Sequence, residues 1–273
     1  MSCSSYEKLF AKKEYHTLIK HFVELINNKF YGTVKAGRPL KLQVENIIKG
    51  IFYVLITGCQ WYMMPKEYGN GSSIYKHYLK YVKCDIFDEL WTKKIFEYID
   101  KCKYRRNLIN LSIDCTLIKS INGCDLTGRN PCDRGRKGTK ISIITDSIGV
   151  PLGMAAGGAN KADQKMVIET INNLKIRRKT ISNMYADKGY SNKTVKKEME
   201  NNRFRLKCEN KKNSKIKLFK EEINCVNHVR YVIEATFAWI KKYRRLILRY
   251  DRLATSYSSF LKLSFAIIIQ RKL

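Results

Sequence analysis

The segment Lys140-Ile141-Ser142-Ile143-Ile144-Thr145-Asp146-Ser147-Ile148-Gly149-Val150-Pro151-Leu152-Gly153-Met154-Ala155-Ala156 holds two apolar runs around a four-residue break. Asp146 and Gly149 suit a tight turn, so the runs Lys140 to Thr145 and Val150 to Ala156 are predicted to pair as a β-hairpin. Upstream, Leu111-Ser112-Ile113-Asp114-Cys115-Thr116 alternates apolar and polar residues over a strand's length. Downstream, Asn183 to Ala186 and Phe204 to Leu206 are two further short strands. Helices fall between the later strands. One starts near Asp163 with Val167, Ile171 and Leu174 on one face, and another follows Ser191 with Val195 and Met199 one turn apart. The order strand, strand, strand, helix, strand, helix, strand, helix predicts an α/β fold, a mixed sheet flanked by helices.

A last helix of this region follows from Val229, Ile233, Thr236, Ile240, Tyr243 and Ile247, which recur in steps of four and three and define one buried stripe from about Val226 to Leu248. Trp239 and Tyr243 read as core aromatics rather than platforms for bases. Ahead of the sheet, Val44, Ile47, Ile48, Ile51 and Leu55 have helical spacing, Gly58 and Pro65 break it, and Ser72 or Ser73 is placed as the N-cap before Ile74, Tyr78 and Val82. A helix-turn-helix stays open, although the connection Gly58 to Gly71 is longer than the short turn of that motif. A boundary near Lys101 to Arg106 divides a helical domain, residues 1–106, from residues 107–273.

The chain has 273 residues, 53 of them Lys or Arg against 24 Asp or Glu, a formal charge of +29. With 44% apolar residues it has material for a core, so it is a folded base rather than a disordered tail. A folded polycation meets a polyanion, and nucleic acid rewards Lys and Arg independently of sequence. A membrane is excluded as partner: the longest apolar stretch, Ile47 to Gly58, is interrupted by Lys49 and falls short of the roughly 20 residues a span needs. Met1 to Phe10 lacks the apolar run of a secretory signal, and the nine cysteines include no C-x-x-C pair. The expectation is a reducing intracellular compartment, cytoplasmic and nucleoid-associated, or nuclear in a eukaryotic host.

Most acids of the second part have ordinary roles in turns or solvated helix faces. Three do not. Asp114 lies inside an apolar strand, where an unpaired carboxylate costs several kcal/mol unless a cation or donors receive it. Asp187 follows a strand directly, the end at which open α/β sheets place site residues, though capping the next turn would also account for it. Glu234 borders the buried stripe of the last helix, spaced from Arg230 and Lys241 so that the three share a face; a plain i,i+4 ion pair is the alternative. Three carboxylates converging at one sheet end repel unless divalent cations neutralise them. Two Mg²⁺ (or Mn²⁺) ions would do so and would promote phosphoryl transfer.

In these positions the chain resembles the DDE transposases of insertion sequences, the insertion-sequence-five group. The resemblance runs through Gly37-Arg38-Pro39, Thr57-Gly58-Cys59-Gln60-Trp61, Met64-Pro65, Ser73-Ile74-Tyr75, Ile113-Asp114-Cys115-Thr116, Gly138-Thr139-Lys140-Ile141, Asp146 to Leu152, Ala162-Asp163, Ala186-Asp187-Lys188-Gly189-Tyr190, Val232 to Trp239 and Lys242 to Leu246. It implies a ribonuclease-H-like catalytic domain in residues 107–273 and a DNA-binding role for residues 1–106. It also implies that Asp114, Asp187 and Glu234 hold two metal ions per active site, cleave DNA at the element's ends and join the 3′-hydroxyls to target DNA. Arg230 and Lys241 match the family's DNA-contacting Arg and Lys, while the tyrosine that precedes them there is Asn227 here. Arg244, Arg245 and Lys140 in the matching blocks, and Arg134 and Arg136 in the loop Lys119 to Gly138, are further expected DNA contacts. The reaction logic implies a homodimer or larger synaptic assembly. Two alternatives share these residues: a transposase-derived DNA-binding protein without catalysis, and a ribonuclease-H-like nuclease that cuts without joining.

Overall fold

The computed structural model describes residues 3–31, 42–101, 108–123, 125–176, 181–208 and 220–273, with the side chains of 3–5, 188 and 220–230 left aside. The Gly37-Arg38-Pro39 block, most of the proposed domain boundary and residues 209–219 lie outside the described residues. By packing, the chain forms two compact units. One comprises residues 1–98, 241–247 and 255–273, and the other residues 99–240 and 248–254.

The first unit is helical: α1 (Cys3–Phe10), α2 (Lys13–Phe30), α3 (Val44–Thr57), α4 (Gly71–Lys83) and α5 (Ile86–Lys101), joined by α9 (Arg244–Ile247) and most of α10 (Ala254–Gln270). Ile47, Ile48, Ile51 and Leu55 of the α3 stripe are buried as expected while Val44 is half-buried, and Phe52 and Val54 beyond the stripe are buried too, because the helix is covered on more than one side. It ends where Gly58 turns left-handed at φ +68°; a Cβ there would lie 3.1 Å from the Arg244 backbone. The N-cap of α4 is Asn70, whose side-chain oxygen accepts the Ser72 N–H at 2.9 Å, and not Ser72 or Ser73. Between α3 and α4 the connection holds two 3₁₀ turns, Trp61–Met63 and Lys66–Tyr68, unlike the short turn of a helix-turn-helix.

α10 corrects the expected extent of the second domain. Its Tyr257, Phe260, Leu261, Leu263 and Phe265 to Ile269 are buried in the helical unit, where Tyr78 stacks on Phe260 at 4.7 Å. A helix apolar on nearly every side needs an enclosing set of helices, and periodicity alone does not say which domain supplies it.

The second unit is built on a mixed sheet: β1 (Asn110–Ser120), the short β2 (Gly128–Arg129), β3 (Lys137–Asp146), β4 (Pro151–Gly158), β5 (Ser182–Ala186), β6 (Phe204–Cys208) and the short β7 (Leu248–Arg249). β4 and β2 pair with one edge of β3 and β1 with the other; on the far edge of β1 lie β5 and β7, and β6 follows β5. The long strands therefore run in the order β4, β3, β1, β5, β6, the first three antiparallel and the last two parallel to β1. This is the mixed sheet of a ribonuclease-H-like domain. The hairpin turn forms where expected, and fully buried Asp146 accepts the N–H groups of Ile148 at 3.0 Å and Val150 at 2.8 Å.

Helices α6 (Asp163–Asn172) and α7 (Lys193–Asn201) follow β4 and β5. α8 (Lys220–Lys241) buries Ile233, Thr236, Phe237 and Ile240, and the Thr236 hydroxyl donates to the Gly149 carbonyl at 3.0 Å, fastening the helix to the hairpin turn. The stripe read as one helix to Leu248 is interrupted at Lys242 and Tyr243. Leu248 and Arg249 instead pair with Lys119 and Ser120, because β1 runs four residues beyond the expected Thr116 and presents an open edge. Tyr243 is buried in the helical unit, as expected of a core aromatic, whereas Ile247 is exposed.

Candidate active site

β1 pairs in parallel with β5 through Asn110↔Asn183, Leu111↔Met184 and Ser112↔Tyr185. Two residues further along each chain, the same register sets Asp114 level with Asp187, one position past the end of β5. Beyond Ser112 the edge of β1 has lost β5 and not yet met β7, which leaves the Asp114 level open. One Asp114 oxygen accepts the Cys115 N–H at 2.8 Å. Asp187 is exposed, and its carbonyl accepts the Tyr190 N–H at 2.9 Å to start the turn Lys188–Tyr190.

That turn is fixed by groups the sequence reading did not single out for this role. Gln164 of α6 donates to the Gly189 carbonyl at 2.6 Å and accepts from the Asn192 side chain at 3.1 Å. Tyr190, buried, points its hydroxyl at Cys115 Sγ at 3.3 Å, which ties the segment after Asp187 back to the strand of Asp114. Burial pushes the Cys115 thiol up to about 11 and raises Cys208 as well, with the charge of Asp187 adding to the Cys208 shift. Both stay protonated at neutral pH.

Glu234 lies on the exposed side of α8. Among the described residues no three His, Cys, Asp or Glu side chains are gathered closely enough to hold one ion, so Glu234 is not grouped with both aspartates. The two aspartates are hard oxygen donors, whose chemistry fits Mg²⁺ or Mn²⁺.

The expected DNA contacts separate by burial. Lys241, Arg244, Arg134 and Arg136 are exposed, Arg136 lying 3.9 Å from Asp133. Lys140 is not available: it is buried, its ammonium paired with Asp163 and donating to the Lys161 carbonyl at 2.6 Å. Arg245 is buried too, its guanidinium 5.5 Å from the Phe260 ring centre. Both carry their charge within the matching blocks, and charge does not distinguish a surface cation from one that closes a core. The side chains of Arg230 and Asn227 lie outside the described residues. Trp239, expected in the core, is exposed at the flank of α8.

A family model described as the transposase DDE domain matches residues 117–269, more than half of the chain. The chain belongs to the DDE transposase family. A second model, described as "Putative transposase of IS4/5 family", matches residues 20–91, within the helical unit. A Burkholderia cepacia protein named "Putative transposase for insertion sequence element IS402" is 32% identical over 151 residues, which cover 52% of this chain and 67% of that protein. No solved structure matched. Membership in the DDE transposase family implies DNA binding and divalent-metal use. The DDE match begins three residues beyond Asp114, so the place of Asp114 rests on the strand register rather than on the match. No helix of the described residues is long and apolar enough to cross a membrane, and the five described cysteines with a free thiol are Cys59, Cys84, Cys115, Cys132 and Cys208.

Proposed function

We propose that this DDE transposase binds the ends of its own element, cleaves their phosphodiesters and joins the freed 3′-hydroxyls to target DNA. Asp114, Asp187 and Glu234 are its metal-binding acids, and the helical residues 1–106 contribute to DNA binding. The observation that supports the reading is the parallel pairing of β1 with β5, whose register, carried two residues past its last pair, would bring Asp114 level with Asp187. Their carboxylates would hold Mg²⁺ or Mn²⁺, whose chemistry in such sites is to activate the attacking oxygen and stabilise the leaving one. Tyr190 and Gln164 keep the segment carrying Asp187 in place against β1. Glu234, set on the exposed side of α8, reaches the aspartates once DNA is bound, and Lys241 and Arg244 contact DNA phosphates. Two ends must be joined in one event, so the working form is a dimer or larger synaptic assembly.

The deciding experiment incubates purified protein with a labelled duplex of the element's end and Mg²⁺. Cleaved and joined products are expected. Cleavage without joining would replace this reading with a nuclease, and binding without metal-dependent cleavage would replace it with a DNA-binding protein that has lost its chemistry. Lys241→Ala is expected to weaken end binding and to flatten the plot of log affinity against log salt by about 0.9, the value of one phosphate contact on duplex DNA. An unchanged slope would return Lys241 to an ordinary solvated helix face.

A further inference from the structure

Two of the most exposed apolar side chains among the described residues are neighbours far in sequence from the acids. Tyr62 is 73% exposed and Met63 66%. They cap the 3₁₀ turn Trp61–Met63, inside the sequence block Thr57 to Pro65 that the proposed chemistry leaves without a role. The turn is braced from behind. The Trp61 ring lies 5.1 Å from Tyr78 and 5.2 Å from Tyr75 and stacks on Phe260 at 6.1 Å, and Met64 is buried. Gly71 rests its backbone on the Trp61 carbonyl, where an added Cβ would come within 1.9 Å of the oxygen. A protruding apolar pair on so firm a base is shaped to enter something.

Exposed cations stand near it along the chain or on adjoining elements, together with one exposed acid, Glu67. Lys66 is exposed three residues on, Lys76 is exposed next to Tyr75, and exposed Arg244 packs its backbone against Gly58 at the start of the same block. Apolar side chains that part base steps while nearby cations hold the phosphates are a known means of kinking duplex DNA. We propose that Tyr62 and Met63 form a wedge that enters between stacked base pairs of duplex DNA and bends it, with Lys66, Lys76 and Arg244 on the flanking phosphates. The proposal rests on the reading that this chain binds the ends of its element. It adds to the proposed catalytic site a DNA-deforming one, on the helical unit.

The test uses the full chain and a duplex of the element's end carrying a fluorophore pair, with Ca²⁺ in place of Mg²⁺ so that binding is read without chemistry. The parent is expected to raise energy transfer by bending the duplex. The double variant Tyr62→Ser with Met63→Ser should leave the duplex straight and bind it about ten-fold more weakly, the scale of one lost aromatic stacking contact. A duplex with a two-nucleotide bulge, already unstacked, should restore binding by the variant to near the parent's level. Equal bending by parent and variant overturns the wedge, as does weak binding that the bulge fails to restore. Loss of self-association in sedimentation with bending intact would overturn it in favour of a second copy as the occupant. If the double variant melts lower than the parent, Met63→Ser alone is measured against the same outcomes. A parent that does not bind the end duplex overturns the underlying DNA reading itself, an outcome distinct from a parent that binds without bending.

Discussion

Asp114→Asn and Asp187→Asn are each expected to lower cleavage of a labelled element end by a factor on the order of 10³, equivalent to about 4 kcal/mol of transition-state stabilisation, without loss of end binding. An amide keeps the shape of the carboxylate but removes the charge that holds a divalent cation. The effect should therefore appear in metal binding before it appears in chemistry. Mn²⁺ binding by the DNA-free protein, followed by electron paramagnetic resonance, is expected to disappear in both variants. Glu234→Gln should behave differently. Glu234 is exposed on α8 and not grouped with both aspartates, so the DNA-free variant should bind Mn²⁺ like the parent and fail only at cleavage. Three equal losses of Mn²⁺ binding would mean that the acids are already assembled without DNA. Normal Mn²⁺ binding by Asp187→Asn would remove Asp187 from the metal site.

Much of this site was legible in the sequence, and the reason is physical. A carboxylate inside an apolar strand and another at a strand's end violate the local pattern, and such violations stand out against a period of two. The strand order was legible for the same reason, each apolar run being bounded by turn residues or a helical period. What did not show was everything that depends on which elements meet. The pairing of Leu248 and Arg249 with β1 ends a helical stripe that would otherwise have continued, since an open strand edge outweighs one more turn of helix. Lys140 and Arg245 looked like surface cations because their partners, Asp163 and Phe260, are distant in sequence. Gln164, which pins the segment after Asp187, is an unremarkable polar residue on a solvated helix until its two partners are in place. The placement of α10 with the first unit has the same origin: its composition demands burial without naming the surface that provides it.

Arg249 carries the largest expected effect on stability, and no pattern in the sequence marks it. It is fully buried, and three nitrogens of its guanidinium group make five hydrogen bonds. Nη1 donates to the Asp125 carbonyl at 2.7 Å and the Thr139 hydroxyl at 2.8 Å, Nη2 to the Asp125 carboxylate at 2.6 Å and the Arg252 carbonyl at 3.0 Å, and Nε to the Asp251 carbonyl at 3.1 Å. Asp125 in turn accepts the Ala254 N–H at 2.8 Å, and the Arg249 carbonyl accepts the Ile121 N–H at 2.9 Å. One cation thus ties the segment after β1 and the segment after β7 to the middle strands of the sheet. Arg249→Met, which keeps much of the volume, strips the donor from three carbonyls and a carboxylate at once. A buried acceptor left without its donor costs about 1–3 kcal/mol, so the second unit is expected to unfold at markedly lower urea, with amide exchange accelerated in β1, β3 and residues 121–123 and 125–127. Arg249→Lys should recover little of this, because an ammonium cannot reproduce the planar fork that reaches five acceptors. Asp125→Asn should cost less, because the amide oxygen still accepts from Arg249 Nη2 and the other acceptors of the guanidinium are untouched. If Arg249→Met unfolds within about 1 kcal/mol of the parent, the hydrogen bonds around this guanidinium contribute no more than an average pair, and the segments it joins are held by the β1–β7 pairing and apolar packing instead.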